Sequence, residues 1–181
     1  VGKDASTDLL LTPEQREYMV ERVRFVRSRK CPIKLFTLDF QNDAEFVGGC
    51  IAGGKNYLHI NPNGDVEPCV FIHYSNINIK EHSLLECLQQ PLFMQYQDNM
   101  PFNDNQLRPC PMLENPEMIK KMVEASGAHS TDMQAEEPVD SLIAKTIPYA
   151  ENWKPVADRL WKERQDEVAE ARKERFEKYG E

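Results

Sequence analysis

The sequence predicts an α+β chain: a helix feeding one strand, then a β-hairpin, then helices that end in one long charged helix. Three observations predict it. Thr12-Pro13-Glu14-Gln15 opens a stretch with apolar residues at helical spacing. Two strand-like runs, Tyr57 to Ile60 and Asp65 to Phe71, flank the turn sequence Asn61-Pro62-Asn63-Gly64. From Trp153 to Tyr179 acids and bases alternate around a narrow apolar stripe, which is the pattern of a helix with one packed face.

In the first helix Thr12 can cap, Pro13 suits the first turn, and Gln15 can reach back to close a capping box. The helix should run to about Lys30, with Met19, Val20, Val23 and Val26 on its apolar face and Arg16, Glu17, Arg24 and Arg27 mostly elsewhere. Cys31-Pro32 stops it. Ile33 to Phe40 is apolar on both faces, which predicts a buried strand. Ligand sites gather at the carboxyl ends of strands in α/β layers, so Asn42, Asp43 and Glu45 become substrate-facing candidates. Beyond the hairpin, Ser83 caps a helix from Leu84 to about Gln97, interrupted or kinked at Pro91, with Leu84, Leu88, Leu92 and Phe93 toward a core. Asn115-Pro116-Glu117 opens another helix that Gly127 ends. Residues 129–150 are polar and acidic and predict a linker before the charged helix of 151–181.

A chain of 181 residues, 40% hydrophobic and 29% charged, can bury one substantial core. Its net charge of -8 argues against a broad nucleic-acid footprint. No apolar run approaches membrane-spanning length and nothing at the N-terminus has the form of a targeting peptide, so a cytoplasmic protein is expected. The chain begins with Val1 rather than Met and is expected to be a piece of a longer protein.

Five cysteines, at 31, 50, 69, 87 and 110, include no tight CxxC pair, and in a reducing compartment they stay thiols. Three share a setting: Cys50 follows Gly48-Gly49, Cys69 follows Pro68, and Cys110 lies between Pro109 and Pro111. Glycine lets backbone N–H groups approach a sulfur, and proline stiffens the loop and removes competing donors, as metal and cluster thiolates need. Cys87 falls within the apolar pattern of a helix and is expected in the core, as is Cys31. His59 and His73 lie on the two hairpin strands and are candidates to complete a ligand set, whereas His82 and His129 have no metal-like context. Structural zinc usually presents paired cysteines, so widely separated single ones favour a cubane cluster.

Cys50, thirteen residues, Gly64, four residues and Cys69 reproduce the opening signature of the SPASM and twitch extensions of radical SAM enzymes. With AGGKNYLHINPNGDVEPCVFIHYSNI, SLLECLQQPLF and RPCPMLENPE following in order, the chain from Leu11 to Ala128 resembles the post-barrel region of such an enzyme. The resemblance implies that residues 1–47 hold the last helix and strand of a partial (β/α) barrel, and that 48–128 form an auxiliary-cluster domain. It implies an auxiliary 4Fe-4S cluster on Cys50, Cys69 and Cys110, with a fourth ligand from Cys31, Cys87, His59, His73, the barrel, or an open iron site for substrate. The CxxxCxxC loop that holds the S-adenosylmethionine cluster is absent from this sequence, as are the later cysteines of a full SPASM region. S-adenosylmethionine and a second 4Fe-4S cluster are therefore expected only in an N-terminal part, and this stretch alone is expected to be inactive. The expected partners are that barrel and a peptide or protein substrate, with a homodimer through the C-terminal helix as a further option. The rival readings are a structural zinc module and a docking or dimerisation module without catalysis.

Overall fold

Thr12 starts the first helix as its sequence dictates. In the computed structural model, which describes residues 4–39 and 43–179, α1 spans Pro13–Arg27 with a complete capping box: Gln15 N–H donates to Thr12 Oγ1 and Thr12 N–H donates to the Gln15 side chain. Its buried face differs from the expected one. Val20 is buried and Val23 and Val26 are half-buried, but Met19 is exposed, and Arg16 is 1% exposed. Charge alone had placed Arg16 outside; a buried carboxylate and two aromatic rings bring it in.

The expected buried strand at 33–40 is not formed among the described residues. Residues 34–38 belong to no strand, and Ile33, Leu35, Phe36 and Leu38 are 61% to 89% exposed. A strand apolar on both faces is stable only between neighbouring strands, and the described residues supply none there. Phe40 itself lies outside the described residues. The short α2, Ala44–Val47, then leads into the glycine-rich loop.

The hairpin forms in the expected place with shorter strands. β1 (His59–Ile60) and β2 (Val66–Glu67) pair antiparallel, His59 opposite Glu67 and Ile60 opposite Val66. Asn61 builds the turn, its side-chain oxygen accepting the N–H groups of Asn63 and Asp65. Gly64 is needed there: at φ +94° it sits where a Cβ would lie 2.6 Å from Asn78 Oδ1. β3 (Tyr74–Ser75) pairs antiparallel with β4 (His129–Ser130), so 129–130 belongs to a second small sheet rather than to a linker.

Pro91 does not kink a helix. It opens one. α3 (Leu84–Leu88) is capped by Ser83, and α4 (Pro91–Asn99) carries proline at its first position. Leu92 and Phe93 are buried as expected, whereas Leu84 is 55% exposed because α3 presents Cys87 inward instead. α5 (Pro116–Ser126) starts and ends as its sequence dictates, with Gly127 left-handed at φ +64°.

α6 runs from Val139 to Tyr179, so the helix begins twelve residues before the expected start and passes through Pro148 and Pro155. Burial outweighs the proline penalty. Leu142, Ile143, Ala150, Trp153, Ala157 and Leu160 are all buried, and Trp153 Nε1–H donates to Leu107 O at 2.9 Å. α4, α5 and α6 pack side by side and α1 lies on α6. Beyond Trp161 the helix is mostly exposed. Among the described residues, no helix is long and apolar enough to cross a membrane.

Candidate metal centre

The principal core joins Ile72, Tyr74, Leu92, Tyr96, Phe102, Met112, Ile119 and Met122, and Cys50, Cys69 and Cys110 all pack against it. Three separate loops deliver them. Cys50 follows the turn after α2, Cys69 follows β2, and Cys110 lies within the loop between α4 and α5. The Gly53 backbone approaches the Tyr96 ring so closely that a Cβ there, at φ +66°, would lie 2.4 Å from it. Any side chain at 53 would push the cysteine loop off α4.

Each sulfur faces backbone donors. Cys50 receives N–H groups of Ala52 and Ile51, Cys69 those of Phe71 and Ile72, and Cys110 that of Leu113 at 3.4 Å. Turn N–H groups aimed at sulfur stabilise thiolate, as the ligands of a cluster require. Burial nevertheless dominates: it pushes the Cys69 thiol up to about 11 and those of Cys50 and Cys110 up as well. Cys50 acts electrostatically on Cys69, and both act on Cys110, so a negative charge on one opposes charge on its neighbours. Without a cation between them the three remain thiols; an iron-sulfur core would supply that positive charge.

A buried ion pair props the Cys110 loop. Glu114 Oε2 accepts the Cys110 N–H at 2.7 Å, and Glu114 Oε1 lies 2.9 Å from an Arg16 nitrogen, with both side chains at most 1% exposed. That nitrogen and Oε1 are close but not aligned as a hydrogen bond. Charge attraction holds them rather than directed bonding. Trp153 and Tyr149 cover the guanidinium, their ring centroids 4.1 and 5.8 Å from its carbon.

The other sequence candidates are engaged elsewhere. Cys31 is buried and its thiol donates to Ile33 O at 3.1 Å, and Cys87 packs with Val66 and Phe93. His59 and His73 each turn Nδ1 to Glu67, at 2.8 and 3.1 Å. Glu67 is shut from solvent and also accepts from Asn61 and Thr131, beside a cleft of about 200 Å³ lined by both histidines, Asp132 and Met133. Asp43 pairs with Arg27 and caps the Asp39 N–H, and Glu45 pairs with Arg164 of α6. Asn42 lies outside the described residues. Sequence reasoning missed Arg16, Glu114 and Tyr96, since each has an ordinary helical or loop context.

Among the described residues no three His, Cys, Asp or Glu side chains stand close enough together to hold a single metal ion. A zinc tetrahedron with bonds of about 2.3 Å needs its ligands tightly gathered around one ion. A cubane, whose corner irons are themselves separated, takes its thiolates farther apart. Residues 50–112 match the SPASM family, an iron-sulfur cluster-binding domain. All three converging cysteines fall within this SPASM segment, and its matched span ends just past Cys110. No curated protein and no solved structure gives a significant match to the chain.

Proposed function

We propose that this chain is the auxiliary-cluster part of a radical SAM enzyme, with Cys50, Cys69 and Cys110 as ligands of one 4Fe-4S cluster. The observation that carries the reading is the convergence of those three sulfurs, each met by backbone N–H donors, on one face of a buried core within the SPASM segment. When bound, the cluster would relay an electron or anchor a substrate, and a peptide or protein is the substrate class this reading favours. The protein's own residues hold the ligands in place. Gly53 lets the Cys50 loop lie against Tyr96, and Glu114 with Arg16 fixes the Cys110 turn.

The exposure of Ile33, Leu35, Phe36 and Leu38 supports the wider assignment, because neighbouring strands of a barrel would bury such residues. Asp43 and Glu45 follow these residues and would then stand near the barrel mouth. Anaerobic reconstitution with iron and sulfide tests the cluster. The wild-type chain is expected to take up iron and sulfide in equal amounts, and alanine at Cys50, Cys69 or Cys110 to reduce both sharply. Zinc without sulfide in anaerobically purified protein would establish the structural zinc reading instead.

A further inference from the structure

Tyr96 lies on α4 at the floor of the cysteine nest. It is 0% exposed, and its hydroxyl has no hydrogen-bond partner among the described residues. No cysteine sulfur receives this O–H directly. Yet all three are near: Cys69, Cys50 and Cys110 each act electrostatically on the phenol, after burial the largest influences on it. A buried hydroxyl without an acceptor is costly, and interiors leave few of them. The ring cannot swing out to find water. Gly53 covers one side of it, and Phe102 meets it edge-on, with centroids 5.4 Å apart at 88°. The hydroxyl is thus enclosed, without an acceptor, in the same core cluster against which Cys50, Cys69 and Cys110 pack.

We propose that Tyr96 Oη–H donates a hydrogen bond to a sulfur of the iron-sulfur cluster held by Cys50, Cys69 and Cys110. The inference rests on the cluster reading above. The proton stays on Tyr96 and no bond to iron forms, so Tyr96 is a positioning and tuning residue rather than a catalytic one. A donor aimed at cluster sulfur stabilises the reduced, more negative state more than the oxidised state, and so raises the reduction potential.

Tyr96→Phe removes the donor and keeps the ring. In the reconstituted full chain, iron and sulfide per protein should match the wild type, the cluster's reduction potential should shift to a more negative value, and an exchangeable-proton hyperfine coupling seen in the reduced wild type should be lost. A purely structural tyrosine would leave potential and coupling unchanged, and that result overturns the proposal. Loss of iron from the variant cluster would make Tyr96 a ligand and overturns it too. Should Tyr96→Phe fail to fold, site-specific 3-fluorotyrosine at 96, a stronger donor of the same shape, is expected to shift the potential positive; no shift overturns the inference. Wild-type protein that binds no iron and sulfide removes the cluster reading together with this one, whereas a wild type that loads normally beside an unshifted Tyr96→Phe removes this one alone.

Discussion

Glu67 and Glu114 are both shut off from solvent, one behind the hairpin and one under the Cys110 loop, yet their carboxyls shift in opposite directions. At Glu114 burial raises the carboxyl, and the charge of Arg16 with the Cys110 N–H does not fully offset it. At Glu67 burial also pushes upward, but hydrogen bonds from His73, Thr131 and His59 outweigh it and the net shift is downward. The difference teaches that burial does not set ionisation by itself; the number of donors delivered to the carboxylate does. Glu67 collects side-chain donors from β1, its turn, the chain after β2 and the chain leading out of β4, beside a cleft. Glu114 has one paired cation, Arg16, a more distant Arg108 and one amide. The hairpin hub is a welded junction, and the Cys110 hub is a single strut.

Breaking the strut has the largest expected effect. Glu114→Ala leaves Arg16 charged, buried and unpaired beneath Trp153, and removes the acceptor of the Cys110 N–H. Chemical denaturation should show a loss of about 3–5 kcal/mol, and Arg16→Met should recover part of it in the double variant, because the uncompensated charge is then gone. Recovery of nothing would show that the carboxylate supports the loop through the amide alone.

Breaking the weld costs less, since its donors can turn to the cleft. Glu67→Ala is expected to destabilise by about 1–3 kcal/mol in the same assay, with faster amide exchange at Ser130 and Thr131 than at α5. A uniform rise in exchange across the chain would deny that Glu67 joins β4 specifically to the hairpin.

The smallest effect is a pH dependence. The hydrogen bond to Glu67 raises His73 above its ordinary value of 6.5, against the opposing effect of burial. Its stabilising contribution is complete below 6.5 and is lost as pH rises through the raised folded value. Glu67, lowered from 4.5, contributes above 4.5 and loses its contribution as pH falls through its folded value. The contact is therefore strongest between those two ordinary values. Unfolding midpoints of the wild type should decline from pH 6 to pH 8.5, and His73→Gln should flatten that slope; equal slopes would detach His73 from the hub.

Much of the candidate site was legible in the chain itself. Cys50, Cys69 and Cys110 stood out because their glycine and proline neighbours are local chemistry, and Cys87 was assigned to the core because a helical apolar pattern is local too. The fourth-ligand candidates were not legible. His59 and His73 carry the same residue type as a metal ligand, and what distinguishes them is Glu67, a buried acid on the paired strand. The linker expected at 129–150 failed for a related reason: Pro148 and a polar composition argue against helix locally, while Trp153 and Leu142 gain burial against α1, α5 and the Leu107 loop.

The sequence by itself determined the N-caps of α1 and α3, the glycine that ends α5, the reversal at Asn61 to Gly64 and the identity of the three thiols, because each depends on residues within a few positions of one another. Only the tertiary structure decided that Arg16 goes inside, that α6 runs unbroken through two prolines, and that the Tyr96 hydroxyl is buried without a partner in the core the cysteines pack against. Those outcomes depend on which distant groups share a buried space, where a lost hydrogen bond or an unpaired charge outweighs any local preference.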